Sequence, residues 1–460
     1  MDQEENDDEG APSRAKRYLK SARTLSGIGG RLLGEKIGLS IDHQAYAALL
    51  TQTLGTLKGP TLKIAQILAT VPNMLPPDYA EALRTLQANA PAMGPLFVKR
   101  RMKAELGVNW EDYFESFSVE ASFAASLGQV HQAILKDGTQ VACKLQYPNM
   151  PQIVSDDLKQ LAFFCGVYEK ISGGIRTTNI QKEIRDHLFE ELDYTQEARH
   201  MSWFARALSD EPRTCIATSF PHLSTHRLLT MSWLEGRPFL ESAAQPQEVR
   251  ELLGQSLFRA WYKPFYRYGI LHGDPHMGNY TVRTQDGQPQ LNLLDFGCVR
   301  TFPGSVVEGV IRLYQGLQSH SEEGLAEGYR LLGFENLTKE MLEVLTLWAK
   351  FLYEPLLENR VRALDNDFSG EKGKAVASKV HKLLRHKGGI EPPRTFVLLD
   401  RAAVGIGAAL IHLKVKLNWH QIFEELIEGF EESLLNQNQA ALIAACEISP
   451  NVPSLHRDTV

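Results

Sequence analysis

The sequence predicts an α+β chain of two lobes, a small β-rich lobe followed by a larger helical one, behind an N-terminal helical extension. Three observations carry this. VHQAIL (130–135), a Lys-Asp-Gly turn and QVACKLQY (140–147) together make a strong hairpin signal. A second strand pair, NYTV (279–282) and LNLLDFG (291–297), flanks a turn at Asp286-Gly287. Helical periodicity fills 45–118, 151–206 and most of the chain from 247 onward. At 460 residues and 43% hydrophobic content, the chain is long enough for two or three lobes with cores.

The elements run in order as follows. Residues 1–45 form an acidic, disordered start and a basic amphipathic segment. DQEENDDE at 2–9 holds six acidic residues; removing them from the 55 in the chain leaves 49, equal to the 49 Lys plus Arg. A balanced body excludes bulk nucleic-acid binding, and the acidic start argues against a signal or transit peptide. From 14 to 36, seven Lys or Arg face only Glu35, and Tyr18, Ala22, Leu25 and Leu32 follow helical spacing. Such a segment can lie on an anionic membrane or dock on its own domain. Residues 46–118 are expected as the helical extension, 119–235 as the small lobe, 236–435 as the large lobe and 436–460 as a tail. Five scattered cysteines with no CxxC pair fit a reducing cytosol without disulfides. The longest apolar run, AAVGIGAALI at 402–411, is half the length of a membrane span and is expected as a buried helix. The chain is therefore expected to be cytoplasmic.

Three stations carry chemistry. In QVACKLQY, alternation puts Val141, Cys143 and Leu145 on one face and Ala142, Lys144 and Gln146 on the other. A lysine beside a small alanine reaches α/β-phosphates across an adenine slot. In LFEELDYTQEA (188–198), Glu191 and Asp193 are candidates to hold that lysine. In HGDPHMGNY (272–280), Asp274 and Asn279 have the D-x-x-x-x-N spacing of a kinase catalytic loop, and Asp295 follows in LLDFG. One amide and one carboxylate suit Mg²⁺, with phosphates completing its shell. Asp274 would orient or deprotonate an acceptor hydroxyl or a water. A transition-metal site at His272, Asp274 and His276 is the rival, but these lie in a Pro-containing loop and not on one helix face. Each station alone has an ordinary reading as a solvated side chain or a turn. All three in kinase order do not. No GxGxxG loop precedes Lys144; ASFAASLGQVH (121–131) stands there, and no APE follows DFG. Alanine keeps backbone away from phosphates that glycine would let it touch.

On these residues the sequence resembles the UbiB family of atypical kinase-like proteins, linked to coenzyme Q (ubiquinone) biosynthesis. LKGPTLKIAQILATVPNMLPPDYAEALRTLQ (57–87) resembles the family's K-x-G-Q region and FAASLGQVH its Ala-rich loop. VACK, ELDYTQEA, HGDPHMGN and LLDFG resemble its nucleotide, E-x-D, catalytic and metal motifs. The resemblance implies a protein kinase-like fold binding ATP and Mg²⁺. It implies a Lys144–Glu191 ion pair, with Ala124, Ala125, Ser126 and Gly128 over the phosphates. Thr230, Met231 and Trp233 would border adenine, Asp274 would be the catalytic carboxylate, and Asn279 and Asp295 would hold metal. Lys63 and Gln66, on one helix face, would point into the site from the extension and regulate it. Two positions depart from the family pattern: Ala65 replaces the K-x-G-Q glycine and Phe123 the first alanine of the loop. The expected function is a Mg-ATP-dependent atypical kinase or ATPase supporting ubiquinone or related lipid metabolism, peripherally on a membrane's cytoplasmic face. Quinone-precursor lipids and quinone-biosynthesis proteins are the implied partners. The alternatives are a nucleotide-gated, non-catalytic scaffold and a small-molecule phosphotransferase.

Overall fold

Helix α1 (Pro95–Leu106) opens with Pro95, whose missing N–H is one the first helical turn leaves unpaired anyway. In the computed structural model, residues 93–125, 127–172, 176–364, 371–387 and 389–446 are described. Lys63, Gln66, Ala65, Ser126 and the basic 14–36 segment lie outside them.

A 3₁₀ turn, Trp110–Tyr113, leads into β1 (Phe114–Phe117). Trp110, Phe114 and Phe117 meet edge to face with centroids 5.2–6.1 Å apart. β1 corrects the expectation that 46–118 is helical throughout. Four residues are too few for periodicity to reveal, and these aromatics bury best on a pleated edge. β2 (Phe123–Ala124), β3 (Gly128–Leu135) and β4 (Gln140–Gln146) follow. The β3–β4 turn is the expected one: Gly138 sits at φ +85°, and the Asp137 carboxylate accepts from Thr139 N at 2.9 Å.

Three helices come next: α2 (Met150–Ser172), α3 (Thr178–Glu190) and α4 (Tyr194–Ala207). Asp193 caps α4, accepting from Thr195 N at 3.0 Å. Strands β5 (Thr214–Ile216) and β6 (Leu228–Ser232) close the first half. The small-lobe sheet is antiparallel, ordered β1-β3-β4-β6, with β2 also on β3. Its two faces separate as the alternation requires. Val141, Cys143 and Leu145 pack with Val98 and Met102 of α1. Ala142, Leu229 and Met231 join the main core shared with the larger lobe.

The large lobe is wound around α5 (Gln247–Tyr268), reached through β7 (Arg237–Pro238). Then come β8 (Ile270–His272), β9 (Tyr280–Gln285), β10 (Gln288–Leu293) and β11 (Val299–Thr301). β9 and β10 form a hairpin, β5 lies parallel on β10, and β8 pairs with β11. Helices α6 (Gly304–Ser319), α7 (Glu322–Leu331) and α8 (Lys339–Tyr353) pack outside them. Strand β12 (Arg362–Ala363), α9 (Glu371–His386), α10 (Arg394–Leu413), β13 (Lys416–Leu417) and α11 (Trp419–Ile427) complete the layer. Trp261 and Phe265 of α5, Tyr314 of α6, Tyr329 of α7, and Trp419 and Phe423 of α11 form its fully buried centre.

α10 is 20 residues long, and its length and composition would suffice to cross a membrane, yet half of its apolar stretch is buried inside the protein. Leu398, Ala402, Ile406, Ala409 and Leu410 face the core, as expected for a buried helix. The chain then continues as α12 (Glu432–Ala445), which corrects the tail boundary at 436. Gln439 donates to the carbonyls of Tyr268 and Phe302, each at 2.9 Å, so this helix closes the end of α5. All five cysteines are free thiols.

Gly128 begins β3 where a Cβ would stand 2.3 Å from the Leu145 carbonyl oxygen and 2.7 Å from the Tyr194 hydroxyl. Gly128→Ala is expected to lower stability by about 1–3 kcal/mol through overpacking against backbone that cannot yield. Chemical denaturation measures this.

Candidate active site

Three elements bring charge into the cleft between the lobes. β4 carries Lys144 on the face turned to the large lobe. α4 carries Glu197 in its first turn, set there by the Asp193 cap. The segment leaving β10 carries Asp295. The Lys144 ammonium donates to both oxygens of Glu197, at 2.7 and 2.8 Å, and stands 4.0 Å from Asp295 Oδ2. It also lies 5.0 Å from the centre of the Tyr194 ring. Lys144 and Glu197 are both buried.

Burial works against the ammonium, but Asp295 and Glu197 outweigh it and hold Lys144 above the ordinary lysine range. Burial, with repulsion from Asp295, pushes the Glu197 carboxyl up to about 7 against the pull of Lys144. The Lys144 ammonium is shared by two carboxylates.

The ion pair expected between Lys144 and Glu191 is therefore corrected. Glu191 caps the C-terminal end of α3, and its Oε1 lies 3.0 Å from His187 Nε2. Asp193, the other candidate, is engaged by the α4 cap and by His226 at 2.8 Å. Burial alone would lower His187, but Cys298 and Glu191 raise it to about 9.

The second group sits on the segment between β8 and β9. The register of the β9–β10 hairpin pairs Tyr280 with Leu293, and Leu294 N donates to Asn279 O at 3.0 Å. Asn279 and Asp295 are thereby brought to the same end of that hairpin. Asn279 Nδ2 donates to the Asp274 carbonyl and to Asp274 Oδ2, both at 3.2 Å. Asp295 Oδ1 accepts from Gly297 N at 2.9 Å.

His272 organises this loop, with both ring nitrogens engaged by backbone. Its Nδ1 accepts from Asp274 N at 3.1 Å, which makes Nε2 the protonated nitrogen, donating to the Asp295 carbonyl. Its ring packs among Phe204, Trp261 and Phe296. His276 accepts from Gly278 N in a tight turn. Among the described residues no group of three His, Cys, Asp or Glu side chains is placed to hold a metal. Gly273, between His272 and Asp274, is required: a Cβ there would stand 2.3 Å from Cys298 Sγ.

One residue carries no signal in the sequence. Arg401 of α10 donates to Asp274 Oδ1 at 3.0 Å, and both side chains are buried. One helical turn on, a Cβ at Gly405 would come within 2.1 Å of Pro275. The same face of α10 thus supports the loop twice.

The remaining expected positions are distributed as follows. Ala124 and Ala125 lie on the β2–β3 turn, closed by Ala125 N donating to Gly128 O at 2.8 Å. Met231 is opposite Ala142 on the cleft face, and Trp233 follows β6. Thr230 is corrected: it pairs across with Cys143 on the outer face, and its hydroxyl donates to the Leu223 carbonyl at 2.6 Å. Its side chain does not border the cleft.

The site has the chemistry to take a Mg²⁺-nucleotide. Lys144, Glu197 and Asp295 carry a surplus negative charge, while Asp274 is neutralised by Arg401. The amide nitrogen of Asn279 is engaged, which leaves its oxygen as the acceptor for a cation beside Asp295. Two protein oxygens do not make a cage, so a hard cation here needs further oxygens from phosphates.

Comparison with known proteins identifies the family. Residues 85–328 match the ABC1 atypical kinase-like domain. The chain is 27% identical over 420 residues to a Caenorhabditis elegans protein named atypical kinase coq-8, mitochondrial, covering 89% of this chain and 54% of that protein. It is 26% identical over 402 residues to Rattus norvegicus atypical kinase COQ8B, mitochondrial, covering 84% and 74%. Against Saccharomyces cerevisiae atypical kinase COQ8, mitochondrial, it is 30% identical over 256 residues, covering 55% and 50%. The chain thus spans about half the length of the nematode and yeast relatives. Among solved structures, the Rv3197–erythromycin complex from Mycobacterium tuberculosis superposes with a TM-score of 0.56 at 27% identity, covering 84% of this chain and 96% of that one.

Variants of Glu197, Glu191 and Arg401 probe the geometry. Glu197→Ala leaves a buried ammonium without its partner and is expected to cost about 3–5 kcal/mol of stability, whereas Glu191→Ala leaves Lys144 paired. Because Glu191→Ala strips His187 of its own partner, double-mutant cycles with Lys144→Met separate the two: coupling is expected for Glu197 and not for Glu191, and coupling of Glu191 to Lys144 would return it to the role. Arg401→Gln strips Asp274 of its cation. Any turnover that depends on the Asp274 carboxylate is then expected to lose its acid limb at higher pH, because the charged form is less favoured. A pH–rate profile of the variant against the parent reads that displacement.

Proposed function

The chain belongs to the ABC1 atypical kinase-like family, and from that premise we propose that it binds Mg-ATP in the cleft and transfers or hydrolyses the terminal phosphoryl group. The observation that carries this is the Lys144–Glu197–Asp295 cluster facing the Asp274–Asn279 loop. This arrangement supports the reading that Lys144 serves the phosphates, Asn279 and Asp295 a metal, and Asp274 the acceptor.

In this reading Lys144 binds the α/β-phosphates, and Glu197 keeps the ammonium aimed at them. Asp295 and the Asn279 amide oxygen hold Mg²⁺, which supplies charge neutralisation for the phosphates. Asp274 orients the acceptor, hydroxyl or water, and takes its proton. His272, through Asp274 N and the Asp295 carbonyl, fixes the distance between these two roles. Val130, Ala142 and Met231 form the apolar roof over the nucleobase. Ala124 and Ala125 turn over the phosphates more loosely than a glycine loop would, which favours slow turnover.

The biological setting we propose is support of ubiquinone biosynthesis or related lipid metabolism at a membrane surface. Relatives named COQ8 support it, as do the K-x-G-Q-like motif and the basic 14–36 segment. The nematode and rat relatives carry mitochondrial names; for this chain the proposal keeps the cytoplasmic expectation with peripheral attachment to a membrane. Lys63 and Gln66 are proposed to regulate the cleft from the extension. A nucleotide-gated scaffold is the second reading, and turnover decides between the two.

Asp274→Asn is expected to leave Mg-ATP affinity within about threefold and to lower ADP release by about 10²–10⁴-fold. Asp295→Asn is expected to weaken Mg-ATP binding itself. Calorimetry and an ADP-release assay, with and without anionic vesicles, read both. Parent protein that binds Mg-ATP but releases no ADP in either condition would favour the scaffold.

A further inference from the structure

The cleft face of the small-lobe sheet is a cross-strand row. Phe123 stands opposite Val130, Val130 opposite Lys144, and Lys144 opposite Leu229. Residues directly opposite one another in antiparallel strands share a face. Phe123 therefore lies on the same side as the lysine, at the row's outer end. It is 61% exposed, an unusual position for a phenylalanine with no buried contact to reward it.

Its contact is with Trp233, the first residue beyond β6. The rings stack with centroids 6.0 Å apart and planes inclined by 26°. Trp233 is held by its own backbone, whose N donates to Gln140 O at 3.0 Å. β2 has two residues and pairs with β3, and Ser122 N donates to Val130 O at 2.8 Å. The pair thus joins the short strand over the cleft to the segment that follows β6.

We propose that Phe123 and Trp233 form an aromatic clasp across the open end of the nucleobase slot, which opens to admit a purine nucleotide, closes on the base by stacking and so sets base preference. This rests on the Mg-ATP reading above. Behind the clasp, Val130, Ala142 and Met231 offer only apolar contact to a base. Stacking area then decides selectivity, and two fused rings offer more of it than one. Aromatic–base stacking is sequence-tolerant in hydrogen bonding but sensitive to ring area. The clasp distinguishes this chain from a loop with alanine at 123, where no ring would reach Trp233.

The test is calorimetric titration of the full chain with Mg-ATP and Mg-CTP, for the parent, Phe123→Ala and Phe123→Tyr, with tryptophan fluorescence followed in parallel. The parent is expected to bind Mg-ATP about tenfold more tightly than Mg-CTP. Phe123→Ala should lose most of that ratio by weakening Mg-ATP, and Phe123→Tyr should keep it. Mg-ATP should change the fluorescence of the parent but not of Trp233→Phe. Phe123 is exposed, so its variants should fold; unchanged melting temperatures verify this. If the parent binds Mg-ATP while Phe123→Ala keeps the same affinity and the same ATP-to-CTP ratio, the clasp is wrong and the nucleotide site stands. If the parent binds neither nucleotide, the nucleotide site and the clasp fall together.

Discussion

A buried ammonium shared by two carboxylates is the constraint on which the site depends. Lys144 comes from β4, Glu197 from α4 and Asp295 from the loop after β10, so three separate pieces of the fold must be in place for the charges to meet. Removing these groups from water costs several kcal/mol per ion, and the contacts among them offset only part of it. Asp295 and Glu197 raise Lys144 against its burial, while burial first and then Asp295 raise Glu197; the formal charge of the three groups leaves room for a further cation. In the proposed function, a Mg²⁺-nucleotide would bring that cation and give the lysine a phosphate in the same event. On this view the ligand completes an electrostatic arrangement that the protein leaves one positive charge short.

Asp274 is treated differently. It has its own cation in Arg401 and its own donor in Asn279. The supports come from far away in sequence. α10 supplies Arg401 and the gap at Gly405 into which Pro275 fits, while His272 ties the loop to the Asp295 segment through two hydrogen bonds. The apolar length of α10 follows from this supporting role. A helix that must hold a buried loop against the core is itself buried, and by composition alone it resembles a membrane span.

Much of this is legible in the sequence, for identifiable reasons. The hairpin at 128–146 and the β9–β10 turn are local, and turn chemistry at Gly138 and Asp286-Gly287 announces them. The order of Lys144, Asp274, Asn279 and Asp295 is a spacing pattern that survives without three-dimensional knowledge. Glu191 stands out ahead of Glu197 only while the start of α4 goes unrecognised. Reading Asp193 as an N-cap places Glu197, Ala198, Met201 and Phe204 on one inward stripe and leaves Glu191 behind it on the preceding helix. Thr230 is misplaced for a related reason: alternation in β6 is legible, but which face meets the cleft depends on β4, its neighbour. Arg401 gives no local signal at all, since its partner lies 127 residues away. The strand Phe114–Phe117 and the helix through Ala445 are set by burial against distant aromatics and carbonyls, which periodicity does not report.

The central claim is that the cleft is short of one divalent cation and that nucleotide supplies it. The most direct measurement is ATP affinity of the unaltered chain as a function of free Mg²⁺, by calorimetry from chelator to millimolar metal. Affinity is predicted to rise by about tenfold or more across that range and, by reciprocity, ATP is predicted to raise the affinity for Mg²⁺ by the same factor. ATP affinity that is indifferent to Mg²⁺ would contradict it.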